Sequence, residues 1–129
     1  MSQENVEIVR RALTARRSEF DELLDPSVRL DLSERVFNPA VYSGYEGIMR
    51  WRAEVGDVWD SYRSEPEQFF DGDEVVVVFT RERGRAKGSG IEVAQHPTAL
   101  LCRLRARRVS EIHLYHDRER ALRDAGLAE

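Results

Sequence analysis

Asp31 ends a short alternating stretch, in which Val28, Leu30 and Leu32 interleave with Arg29 and Asp31 before the pattern breaks up. A carboxylate at a strand exit can stand at the mouth of a pocket and take a proton from a substrate. Strict alternation also points Asp31 away from Leu30 and Leu32, so it reads equally as a solvated or loop-bonding residue. His96 precedes Pro97 at an expected strand break. Its imidazole titrates in the range of a proton shuttle, and it reads equally as an exposed turn residue. Arg81 shares the period-two row of Val77 and Phe79, and would face inward with them.

Other reactive types have plainer readings. Cys102 sits in an apolar row with Leu100 and Leu104, as a small buried hydrophobe does. His113 alternates with Glu111 and Tyr115 on the outer face of a strand, and His116 adjoins the start of a last helix. No histidine pair has the spacing of a metal site, so no metal is expected, and no cofactor. Trp51 and Trp59, about two helical turns apart, are core residues or ligand-stacking rings. Tyr45 and Tyr42 are rim hydrogen-bond donors or packing residues of the loop. Arg81, Arg83, Arg85 and Lys87 join Arg103, Arg105, Arg107 and Arg108 in a basic cluster nearly free of aromatics. That composition suits a solvated strand edge better than a nucleic-acid platform.

The elements that must position these groups follow from composition and periodicity. The 129 residues are 41% hydrophobic and 34% charged, which fits one domain over 1–129 with one core. A net charge of -4 gives no overall attraction to nucleic acid or to an anionic membrane. The longest apolar run, around Val75 to Phe79, is too short to span a bilayer. The acidic, polar start lacks the pattern of a signal peptide, and a single cysteine suits a reducing compartment, so the expected location is cytoplasmic.

Val6, Val9, Leu13, Phe20 and Leu24 form one apolar stripe, which predicts a helix over roughly Gln3 to Leu24 ended by Asp25-Pro26. Val28 to Leu32 is a strand, followed by a loop through Asn38-Pro39. Ser43-Gly44-Tyr45-Glu46 has the spacing of a capping box. Ile48, Trp51, Val55, Val58 and Tyr62 behind it predict a helix to Tyr62 with that stripe buried. Strands follow at Val75 to Arg83, Ile91 to Val93, Thr98 to Leu104 and Val109 to Tyr115. Asp71-Gly72-Asp73, Gly84 to Gly90 and Ala106-Arg107-Arg108 are the turns. Asp117 caps a last short helix, with Gly126 beyond its end. Helix, strand, helix and antiparallel meander make an α+β domain.

This order, with "ENVEIVRRA", "YSGYEGI", "GDEVVVV", "GSGIEV" and "YHDRERALRDAGL", resembles the nuclear-transport-factor-2-like superfamily and its SnoaL-like bacterial members. The resemblance spans nearly the whole chain. It implies a cone-shaped fold in which a strongly curved mixed or antiparallel sheet wraps a long N-terminal helix, with two further helices. It also implies an apolar cavity and a homodimer through the outer sheet face. Counted from Asp25-Pro26, Asp31 falls where ketosteroid isomerases of this superfamily place their general base. Their helical tyrosine aligns near Ala12 or Leu13, and their acidic donor falls in Thr98 to Leu104, which holds no Asp or Glu. Arg81 answers to the arginine of the Asp-Arg-Asp set in related epoxide hydrolases, whose final-strand position is Leu114 here. The inward row of cyclases becomes Ser110, Ile112 and Leu114, mostly apolar.

Two functions stay open at this point. One is a binder of a small, apolar, oxygenated molecule of polyketide or steroid type, with weak isomerase, cyclase or hydrolase activity. Asp31 would then carry the proton, Arg81 would stabilise the anion, His96 would assist as acid or base, and Tyr45, Trp51 and Trp59 would contact the ligand. The other is a noncatalytic homodimeric interaction module. Convergent polar groups on an apolar wall would favour the first.

Overall fold

The computed structural model describes residues 2–35 and 39–127, with the side chains at 2 and 93–96 outside the description. Helix α1 spans Ser2–Leu13, a 3₁₀ turn Arg17–Glu19, and α2 Phe20–Leu23. Strands β1 (Leu24–Asp31) and β2 (Val41–Ser43) precede α3 (Gly44–Val58). Strands β3 (Trp59–Asp71), β4 (Val75–Ala86), β5 (Glu92–Arg105) and β6 (Arg108–Tyr115) lead to α4 (Arg118–Asp124). One six-stranded sheet has the order β2-β1-β6-β5-β4-β3. All neighbours are antiparallel except β1 and β6, which run parallel. The class is therefore α+β with a mixed sheet. Register shifts interrupt β3 at Trp59/Ser61 and Pro66/Gln68, and β4 against β5 at Glu82/Gly84. Such bulges bend and twist long strands, which gives the cone its curvature.

Alternation sorts the sheet's side chains into two cores. Leu30, Val76, Val78, Leu100, Cys102, Ile112 and Leu114 pack under α1, α2 and α3, with Val9, Phe20 and Ile48. Val75, Val77, Ala99, Leu101 and Tyr115 lie on the opposite face and pack with α4 through Ala121 and Leu122. The two faces are called the inner and the α4 face below.

Several expectations are corrected. The long first helix is broken: Arg16 is extended and its N–H donates to the Glu19 carboxylate at 2.8 Å, restarting the chain before α2. Leu13 and Phe20 are seven residues apart, a step that a continuous or a broken helix satisfies equally. The second helix stops at Val58, and Trp59 opens β3. Within its stripe Ile48 is buried, Trp51 and Val55 are half-buried, and Val58 is 54% exposed. Ser43 pairs with Arg29 in the sheet and makes no side-chain cap bond to α3. Finally, β5 does not end at His96-Pro97: the strand continues through both, with Arg81 opposite Pro97 and the register shift just before His96.

The last helix is as expected. Asp117 accepts from the Arg120 amide at 3.1 Å, and Gly126 takes the positive φ of 76° that ends the helix.

Candidate functional site on the inner face

The inner face is apolar along most of its length, and becomes polar at one end. On β4 the row Val76, Val78 continues as Thr80 and Glu82. On β5 the row Cys102, Leu100 continues as Thr98, and Thr80 stands opposite Thr98. On β3, Ser64 stands opposite Glu82 and Tyr62 opposite Gly84.

Their hydroxyls converge on one carboxylate. Ser64 Oγ donates to Glu82 Oε2 at 2.7 Å, and Thr98 Oγ1 donates to the same oxygen at 3.1 Å. Tyr62 donates its phenolic O–H to Glu82 Oε1. Thr80 and Thr98 hydroxyls lie 2.7 Å apart and are both buried. A hydroxyl has one proton to give. Thr98 gives its own to Glu82, so Thr80 is the donor to Thr98. The result is a directed chain, Thr80 to Thr98 to Glu82, met from the other side by Tyr62.

Tyr62 keeps 36% of its surface open. Burial of the phenol and then the adjacent Glu82 carboxylate push its pKa above the ordinary value, so it stays a proton donor. Its ring lies 6.0 Å from that of Trp59, tilted by 45°. Trp59 reaches this place because residue 84 is glycine: a Cβ there would stand 2.7 Å from the indole. The aromatic pair thus walls the open end of the network.

The residues singled out from sequence divide between the faces. His96 stands across from Glu82 in register, and its side chain lies outside the described residues. Trp51 is partly buried against the inner core, and Trp59 adjoins the network. Tyr45 is committed to structure: its hydroxyl bonds the carbonyl of Leu24 at 2.8 Å and lies 3.3 Å from that of Phe20. Arg81 does share the row of Val77 and Phe79, but that row belongs to the α4 face, not the inner one. There its guanidinium bonds Glu67 at 2.7 Å.

Asp31 is also on the α4 face, opposite His113. It is 5% exposed and accepts from the Ser33 amide at 2.9 Å and the Ser33 hydroxyl at 2.6 Å. Burial alone would raise its pKa. The two Ser33 bonds, with His113 and Arg29 nearby, outweigh burial and hold it below the ordinary carboxylate range. A group with a depressed folded-state pKa stabilises the fold above its unfolded value, and that contribution fades as pH falls through the folded value. Asp31→Asn should therefore cost about 1–2 kcal/mol at pH 7. The gap to wild type should narrow below about pH 3.8, where the unfolded carboxyl protonates. Thermal melts of both proteins at pH 7 and pH 3 measure this, and a gap that widens in acid would contradict it.

Asp31, Glu111 and His113 each bring one ligand-type atom within 4.8 Å of the others. Arg29 pairs with Asp31 at 3.2 Å and with Glu111 at 3.0 Å, and Arg103 approaches Glu111 at 3.6 Å. The carboxylates are thus already met by guanidinium charge. Arg85 likewise pairs with Glu92, and Arg63 and Arg83 approach Glu65, around a shallow pocket of about 120 Å³ on the β3–β4 edge. Cys102 is fully buried, and burial pushes its thiol up to about 12.

No protein-family model and no curated protein matches the chain. Solved structures do. One described as a SnoaL-like polyketide cyclase, from Jannaschia sp. CCS1, superposes with a TM-score of 0.73 at 21% identity, over 88% of this chain and 85% of its own. The nuclear-transport-factor-2-like fold is the fold of this chain. A protein with a ketosteroid isomerase-like fold from Catenulispora acidiphila DSM 44928, in complex with trimethylamine, has a TM-score of 0.70 at 19% identity, over 98% and 95%. TerC co-crystallised with polyporic acid has a TM-score of 0.70 at 17% identity, over 96% and 97%. At such identities the nuclear-transport-factor-2-like likeness concerns the fold, and chemistry has to be argued from the side chains. No helix among the described residues is long and apolar enough to cross a membrane.

Only the β4 row of the network was within reach of the sequence. Val76, Val78, Thr80 and Glu82 keep strict alternation. The run "RERGR" conceals Glu82 among arginines, and Tyr62 reads as helix until the end of α3 is known.

Proposed function

We propose that this protein binds a small, apolar, oxygenated molecule on the inner face, and that Glu82 exchanges a proton with it. The observation that carries the reading is the convergence of Tyr62, Ser64 and Thr98 hydroxyls on one carboxylate at the end of an otherwise apolar wall. Carbon next to a carbonyl is the matching substrate. Glu82 takes the proton as the C–H bond breaks, and the electron pair moves toward the carbonyl oxygen. A hydroxyl freed from Glu82 by that protonation turns to the enolate oxygen. Trp59 and Tyr62 offer faces to a planar ring. His96, across from Glu82 in register, is the auxiliary acid–base group of this reading. Asp31 and Arg81 then brace the opposite face. Polyporic acid and trimethylamine, bound by two proteins of the same fold, lend support to a small-molecule site.

A wild-type sample with 2-tetralone in deuterated buffer tests the reading. Exchange of the acidic C–H should exceed the buffer rate, and amide shifts should move at Tyr62, Ser64, Glu82 and Thr98. Shifts confined to the α4 face, or exchange at the buffer rate, would overturn it. A second copy covering the partly open Arg29, Glu111 and His113 row belongs to the same proposal. It should bury on the order of 1,200 Å², and sedimentation at micromolar concentration should then give a dimer.

A further inference from the structure

Thr80 and Thr98 send their hydroxyls to the inner face, but their carbonyls are held from the other side. Arg118, the first residue of α4, donates from Nη2 to Thr80 O at 2.7 Å and from Nε to Thr98 O at 3.0 Å. The same guanidinium bonds Glu67 at 2.8 Å and lies 4.7 Å over the Phe79 ring. Its side chain is 23% exposed.

Thr80 and Thr98 stand directly opposite each other on β4 and β5, so the guanidinium spans the two strands at this rung. A carbonyl oxygen has two lone pairs and can accept from a side chain as well as from the ladder. A guanidinium presents several donors in one rigid plane, so a single side chain serves both carbonyls. Because the plane is rigid, it also sets the separation of the two strands at this rung.

We propose that Arg118 is a positioning residue for the Glu82 site, holding β4 and β5 at the separation where the Thr80–Thr98–Glu82 hydroxyl chain closes. The proposal rests on the inner-face network as the site, and its test needs no ligand. A merely structural clasp would lower stability and leave the hydroxyls as they are. A positioning residue alters the hydroxyl chain while the fold persists.

The experiment is Arg118→Gln in the full chain, read by NMR. The first readout is the exchange of the buried Thr80 and Thr98 hydroxyl protons with solvent. The second is the carboxyl carbon shift of labelled Glu82 at neutral pH. Arg105→Gln, which removes the Arg105–Asp25 bond at the far end of β5, controls for lost stability. Hydroxyl exchange should quicken at least tenfold and the Glu82 carbon should shift in Arg118→Gln, with neither change in Arg105→Gln. Unchanged hydroxyls and carboxyl shift beside a lower melting temperature would overturn the proposal. Should Arg118→Gln not fold, Arg118→Lys keeps the charge but lacks the rigid planar fork that fixes the separation of the two carbonyls. The same two readouts then decide, and wild-type values would again overturn it. Failure of ketone exchange would sink the catalytic reading of Glu82 and leave these readouts untouched.

Discussion

Glu82→Gln should reduce proton exchange of 2-tetralone about a hundred- to ten-thousand-fold, the usual contribution of a positioned general base. The substitution keeps the shape of the side chain and removes the group that takes the proton. It also reverses part of the hydrogen-bond logic. A carboxylate accepts at both oxygens, and here three hydroxyls exploit that. An amide offers one oxygen and two N–H donors, so one of the hydroxyls must turn and accept instead. The stability cost should stay near 1–2 kcal/mol, which leaves a folded protein to assay. Ligand-induced shifts at Trp59 and Tyr62 should persist, since the apolar contacts remain. Exchange at the wild-type rate in a folded Glu82→Gln protein would remove Glu82 from the chemistry.

Phe20→Ala should be the most damaging single truncation of the inner core. Phe20 is fully buried, with its ring 5.5 Å from that of Tyr45 and the guanidiniums of Arg17 and Arg52 each within 5.3 Å. It joins α2 to α3 and stands beside the carbonyls that Tyr45 holds. Emptying such a site costs about 3–5 kcal/mol, out of a total of about 5–15 kcal/mol for a domain of this kind. The melting temperature should drop on the order of 10–20 °C. Trp51→Ala should cost roughly half as much, because the indole is only half-buried. Calorimetry of the two variants compares them, and an equal or larger loss at Trp51 would mean that α3 packs more tightly than its exposure indicates.

Much of the fold was legible in the chain itself. The short β-branched run Val75 to Phe79 marks a strand buried on both faces, and the alternation of Glu111 to Leu114 marks another, because side chains on a pleated backbone change face at every residue. The Asp117 cap and Gly126 mark the ends of α4 because few other residues meet those backbone demands. Those local rules, and the family resemblance, sufficed for an α+β domain of this architecture. The end of α3 was beyond them. Val55, Val58 and Tyr62 keep helical spacing, yet the chain turns extended at Trp59, where Gly84 on a strand distant in sequence leaves room for the indole. His96-Pro97 was misread for a related reason: a proline breaks a strand only where its missing N–H is needed, and pairing decides that.

The candidate site depended on tertiary structure still more. Period two places Thr80 and Glu82 on one row, and Arg81 with Val77 on the other, but it cannot tell which row faces the main core. That was decided by where α1, α3 and α4 pack. Asp31 and Arg81 consequently fall on the α4 face, while Glu82 receives hydroxyls from β3 and β5 that are 18 and 16 residues away. Alternation is a property of one strand and so can be read from the chain. Convergence belongs to three strands in register, and only the assembled sheet has it.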